Sequence, residues 1–169
     1  MRATLIRLRD HVRAIDPRDP FTWVVALFIL ACLGGANWNL PCTDSWHNDA
    51  LAPRPAGLGA VVETWRWGHF FRYPPLHLLA LTALSLPWIA LAATRAGTGQ
   101  DALMRELIEP RYMTPIELIG RAVSLALAVG VVFNVRALVA RVWGERAGLA
   151  AAAVTALNPV FVYFAHSAN

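Results

Sequence analysis

The sequence predicts an all-α chain, a polytopic integral membrane helical bundle with an outer loop carrying interfacial helices. Three observations lead there. Of 169 residues, 57% are hydrophobic and 15% charged, whereas a soluble domain has about 45–50% apolar and about 25% charged residues. The mean hydropathy is +0.45, too apolar for a disordered chain. The formal charge is +4, and all 15 basic residues are Arg. These arginines flank apolar runs instead of forming one patch. We therefore read the basic balance as membrane topology and expect no nucleic-acid partner. Cys32 lies inside an apolar run and Cys42 beyond it, so no disulfide framework is expected.

Each element follows from the runs. Arg2, Arg7, Arg9, Arg13 and Arg18 precede Phe21–Ala36, which carries no charge. The first span is placed at 21–38. The long leading region and the lack of a small-residue cleavage site favour a retained helix over a signal peptide, with the N-terminus cytoplasmic. Residues 38–72 form a polar, aromatic loop with Trp38, Trp46, Trp65 and Trp67, a composition suited to the membrane–water boundary. The next apolar stretch, 73–94, opens on Pro74-Pro75 and contains Pro87. It is either a span or a re-entrant or interfacial helix pair. Asp101–Glu109 reads as a short amphipathic helix ended by Pro110.

A further span is expected at 116–140, with Arg121 and Arg136 bounding its uncharged centre and snorkelling to the interfaces. Arg141, Gly144, Glu145 and Arg146 form a tight, positive turn. The last span is 147–165, nineteen residues without charge, kinked at Asn158-Pro159. The Arg-rich turn favours a cytoplasmic position, which leaves 38–115 outside and makes 73–94 the non-spanning pair. The chain stops at His166-Ser167-Ala168-Asn169 without a tail, which reads as the N-terminal part of a longer protein.

Chemistry concentrates in the outer loop. Asp44 and Asp49 follow the first span closely, with His47 between them. A solvated loop with Asx turns is one reading. The other is a carboxylate held at the membrane surface as a general base. His47-x-Asp49 is also a pair that could hold a divalent metal; no other cofactor is indicated. His69 and His77 flank Arg72-Tyr73-Pro74-Pro75, where packing and a rigid start to the next helix are the simpler account. Arg121 is either a snorkelled anchor or a partner for a lipid phosphate or a nearby carboxylate. His166 lies just past the last apolar run.

The order of Phe70-Phe71-Arg72-Tyr73-Pro74-Pro75-Leu76, Arg121-Ala122-Val123-Ser124, Val142-Trp143-Gly144-Glu145-Arg146-Ala147-Gly148 and Ala156-Leu157-Asn158-Pro159, ending at Ala165-His166-Ser167-Ala168-Asn169, resembles the N-terminal part of GT-C membrane glycosyltransferases. The likeness is to the protein mannosyltransferase and aminoarabinose-transferase group and covers about residues 20–169. It implies a polyprenyl-phosphate-linked sugar as donor and a catalytic Asp in the first outer loop. That family's His-Pro-Asp-Glu-like motif matches His47-Asn48-Asp49-Ala50, without the Pro and the Glu; Asp44 is the alternative match. Its Tyr/His-Pro-Pro-Leu stretch matches Tyr73–Leu76, and its Arg before the next helix matches Arg121. The resemblance implies a second acidic residue just after His166–Asn169.

The resulting expectation is a bacterial inner-membrane glycosyltransferase. It would move a sugar from a polyprenyl phosphate to an acceptor hydroxyl or amine outside. Asp49 or Asp44 would be the base, and His47, Arg72, Tyr73, Arg121 and His166 would line the substrate. The alternative is a non-catalytic transport or assembly subunit. Transport calls for ionisable groups within spans, and only Glu117 and Arg121 come near. A soluble enzyme has no phosphate loop, nucleophile elbow or zinc motif to support it.

Overall fold

The computed structural model describes residues 16–35, 75–107 and 109–166, and among them the chain is all helical. The helices are α1 (Pro20–Gly34), α2 (Pro75–Arg95), α3 (Gln100–Leu107), α4 (Pro110–Trp143), α5 (Glu145–Ala156) and α6 (Pro159–His166). The chain divides into two compact units. Unit 1 joins the segment ending at Gly34 to Leu127–Tyr163; unit 2 comprises Gly35–Ala126 and Phe164–Asn169.

Helix starts follow local chemistry. Asp19 precedes Pro20, and its Oδ1 accepts the Phe21 amide at 2.9 Å. An Asp N-cap followed by Pro at the first helical position satisfies one exposed amide and removes another. Thr22 Oγ1 donates to the Asp16 carbonyl and Trp23 Nε1 to the Pro17 carbonyl, folding the preceding turn onto α1. The same Asx-Pro signal recurs at Asn158-Pro159. Asn158 Oδ1 accepts the amides of Val160 and Phe161 at 2.9 and 3.2 Å.

The expected span 147–165 is therefore two helices bent by 66°. The kink read from Asn158-Pro159 is a full break with a fresh cap. α4 in turn is longer than the 116–140 expected. It begins at Pro110 and runs through Pro115. Pro110 fits because the first turn lacks an amide acceptor in any case. The turn at 141–146 narrows to one residue, Gly144. Its φ of 87° and ψ of 167° are open essentially only to glycine.

On α1, α4, α5 and α6, apolar residues stand on exposed as well as buried faces. On α1, Phe21, Phe28 and Cys32 are buried, while Trp23, Leu27, Leu30 and Leu33 are more than half exposed. Leu127, Leu138, Val142 and Trp143 stand equally exposed on α4, and Val154, Leu157 and Val160 beyond it. A helix of a soluble protein keeps such residues to one stripe, and exposed apolar surface on this scale marks contact with lipid or another protein. α4 is long and apolar enough to cross a membrane. The bent pair α5–α6 makes a second such element if it counts as one span; α1 and Ala80–Arg95 of α2 are shorter apolar helices.

In unit 1, Phe28 stacks on Phe161 with ring centroids 5.4 Å apart, and Phe21 meets Phe133 edge-on at 4.8 Å. α5 lies close against α4 because residue 148 is glycine. A Cβ there would stand 2.8 Å from both the Ala140 Cβ and the Arg136 carbonyl oxygen. In unit 2, Ala92, Leu107 and Tyr112 form a core flanked by Trp88, Ile89, Leu103 and Ile116. The α3–α4 corner is closed by an ion pair between Arg111 and Glu106.

Candidate functional site

Arg121 is the one sequence-predicted site residue whose side chain the structure describes. It lies on α4, in unit 2, along the stripe of Met113, Glu117, Ala128 and Val132 that faces inward. Its Nη2 donates to Glu117 Oε1 at 2.5 Å, one helical turn back. Glu117 is 2% and Arg121 7% exposed. With Ser85 of α2 they are the buried polar or charged residues among those described.

The i, i+4 spacing with the acid nearer the N-terminus is the favourable orientation for such a pair. Burial raises its weight. Either charge alone in an apolar interior would cost several kcal/mol, at the order of ~3–5, when its partner is removed. The expectation of Arg121 as an end-of-helix anchor reaching for an interface is corrected here. It points into the packed side of α4 and is held by a carboxylate, the second of the two partners read for it from the sequence.

The side chains of the other named residues lie outside the described set. Asp44, Asp49, His47, Arg72 and Tyr73 lie outside the described residues, as do His69 and Cys42. His166 ends α6, and its side chain lies outside the described set. Among the described residues no group of three or more His, Cys, Asp or Glu converges to hold a metal. The His47–Asp49 pair read for a divalent metal lies outside that set.

Unit 1 holds a charged cluster that the sequence reading missed. Arg136 Nη1 donates to Asp19 Oδ2 at 3.1 Å, and its Nη2 donates to Glu145 Oε2 at 3.3 Å. The guanidinium also lies 4.3 Å above the Phe21 ring, a cation–π geometry. Asp19 thus uses one oxygen to cap α1 and the other to bind α4. The Phe21 amide, and after it the Arg136 hydrogen bond and charge, hold its carboxyl below the ordinary value of 3.8; partial burial opposes them. The residues are 117 apart in sequence, and no local pattern announces such a contact. The only local signals were the Asp-Pro cap and an Arg beside an apolar run.

A scan of family models, a search of curated proteins and a search of solved structures each returned no match to this chain.

Proposed function

We propose that this chain belongs to a polytopic bacterial inner-membrane glycosyltransferase, with its N-terminus cytoplasmic. The enzyme transfers a sugar from a polyprenyl phosphate to an acceptor hydroxyl or amine on the outer side. The order of motifs resembling GT-C enzymes motivates this reading. The observation that carries it is a guanidinium, Arg121, buried on the inward stripe of the longest apolar helix and pre-set by Glu117. A phosphate leaving group calls for a fixed cation where its charge gathers.

The reaction needs two services. An acceptor hydroxyl is a weak nucleophile at neutral pH, so Asp49 or Asp44 takes its proton as its oxygen bonds to the anomeric carbon. The bond from that carbon to the phosphate oxygen breaks, and the polyprenyl phosphate leaves with the electron pair. Arg121, with Arg72, stabilises the charge gathering on that phosphate. Glu117 limits the net charge of the site but fixes the rotamer of Arg121, so the fork need not be ordered at each turnover. His47, Tyr73 and His166 are assigned to sugar or acceptor contacts.

The test is transfer of labelled sugar from a panel of polyprenyl-phosphate sugars by the full chain in proteoliposomes. Transfer lost in D49N or D44N, with donor binding kept, supports the assignment of the base. Transfer that survives the double variant D44N/D49N removes it. No transfer with any donor, from a chain that is inserted and helical, overturns the reading.

A further inference from the structure

One end of unit 1 carries four arginines, and one of them binds two acids on other segments. Arg136 binds Asp19 before α1 and Glu145 at the start of α5. Arg18 and Arg146 are the immediate chain neighbours of those two acids. Arg141 lies five residues beyond Arg136 on α4, a rise of roughly 7.5 Å. All three are exposed, and none forms an ion pair with another described residue. Asp16, the remaining acid here, accepts the Arg18 backbone amide. Among the described residues, Arg18, Arg136, Arg141 and Arg146 against Asp16, Asp19 and Glu145 leave one net positive charge. Both acids facing Arg136 are already occupied. The last turns of α4 also carry exposed apolar side chains, Leu138, Val142 and Trp143, between 61% and 72% exposed.

Exposed guanidinium groups next to exposed Trp and aliphatic side chains, at the end of an apolar helix, fit the boundary between acyl chains and headgroups. Guanidinium forks suit phosphate oxygens, which they engage in pairs. We propose that this end of unit 1 binds anionic phospholipid headgroups. Arg18, Arg141 and Arg146 contact the lipid phosphates. Arg136 acts from inside, tying up Asp19 and Glu145 so that they do not repel the lipid. This surface is separate from the glycosyl-transfer reading, and neither requires the other.

The experiment uses the full chain in neutral detergent, titrated with phosphatidylglycerol or phosphatidylcholine and read by native mass spectrometry and thermal unfolding. Phosphatidylglycerol should bind and raise the unfolding midpoint where phosphatidylcholine does not. Each of R18Q, R141Q and R146Q should weaken anionic-lipid affinity roughly fivefold, and the triple variant should abolish the preference. R136Q should weaken it although it touches no lipid. R95Q/R105Q, which removes two exposed arginines of unit 2, should leave it intact. Each variant is compared with its own phosphatidylcholine baseline and checked for helix content, so a folding defect does not mimic the result. Equal binding of the two lipids, an unchanged triple variant, or an equal loss in R95Q/R105Q overturns the proposal. So does reproduction of the whole shift by soluble glycerol phosphate, which would mark a phosphate site instead of a lipid surface.

Discussion

Two of the ion-pair systems on α4, the Glu117–Arg121 pair of unit 2 and the Arg136 cluster of unit 1, are built on opposite terms. In unit 2, Glu117 and Arg121 are one turn apart on the same helix and almost wholly buried. In unit 1, Arg136 reaches two acids on other segments, and all three side chains keep contact with solvent; Glu145 is 77% exposed. The buried pair lies along one helix, and losing half of it strands a charge in an apolar interior. The exposed cluster links three segments, but water and salt screen it. The larger energetic stake therefore lies with the buried pair, and the link from α4 to Asp19 and Glu145 with the exposed cluster.

The sharpest way to break this contrast is to remove one partner of the buried pair. R121A should destabilise the helical fold in detergent by about 3–5 kcal/mol, and the paired replacement E117L/R121M should restore most of it. Thermal unfolding followed by circular dichroism reads both. If R121A costs no more than a surface change, the burial argument is wrong.

Next in size is Gly148→Val. Its Cβ would strike the Arg136 carbonyl oxygen, which is backbone and has little room to give. α5 must move away from α4, at about 1–3 kcal/mol, taking Glu145 from Arg136. E145Q removes the same ion pair without the steric change and should cost under about 1 kcal/mol. A larger loss from E145Q than from Gly148→Val would show that charge, not close helix approach, holds this corner.

The smallest effect belongs to Asp19. Its folded pKa lies below 3.8, so its contribution is complete above that value and is lost as pH falls through the folded pKa. D19N keeps an N-cap of equal quality while removing the charge. The acid limb of the stability curve should flatten below pH ~4 in D19N, with little change at neutral pH. An identical acid limb in the two proteins would detach the carboxylate from stability.

Much of the helical layout was legible in the sequence. Uncharged runs around residues 21–36, 122–135 and 147–165 mark α1, the centre of α4 and α5–α6, because burial and lipid contact ask for the same residues. The Asn158-Pro159 break was readable as a kink, since Pro cannot donate to the preceding turn. The early start of α4 was not. Pro115 reads locally as a boundary, and only the corner packing of Leu107 and Tyr112 draws the helix back to Pro110. Glu117 and Arg121 stood at pairing distance in the sequence, but which partner Arg121 would take depended on its facing inward. The Asp19–Arg136 contact left no trace, because a contact between distant segments is a property of the folded chain. Of the proposed site, Arg121 alone falls where its surroundings are described.

The bend at Asn158 limits how far α5 and α6 would reach into a bilayer. With α5 along the membrane normal, its twelve residues rise about 18 Å. α6, inclined by 66° to it, adds only roughly 5 Å more depth. The pair then reaches about 23 Å into a hydrocarbon layer of about 30 Å. In a bilayer an unbroken helix of the same residues would cross, and the bent one would stop within the far leaflet. Either lipid thins locally around the tip of α6, or neighbouring protein closes the gap. In a bilayer, one asparagine followed by one proline would thereby turn a crossing into a hydrophobic mismatch.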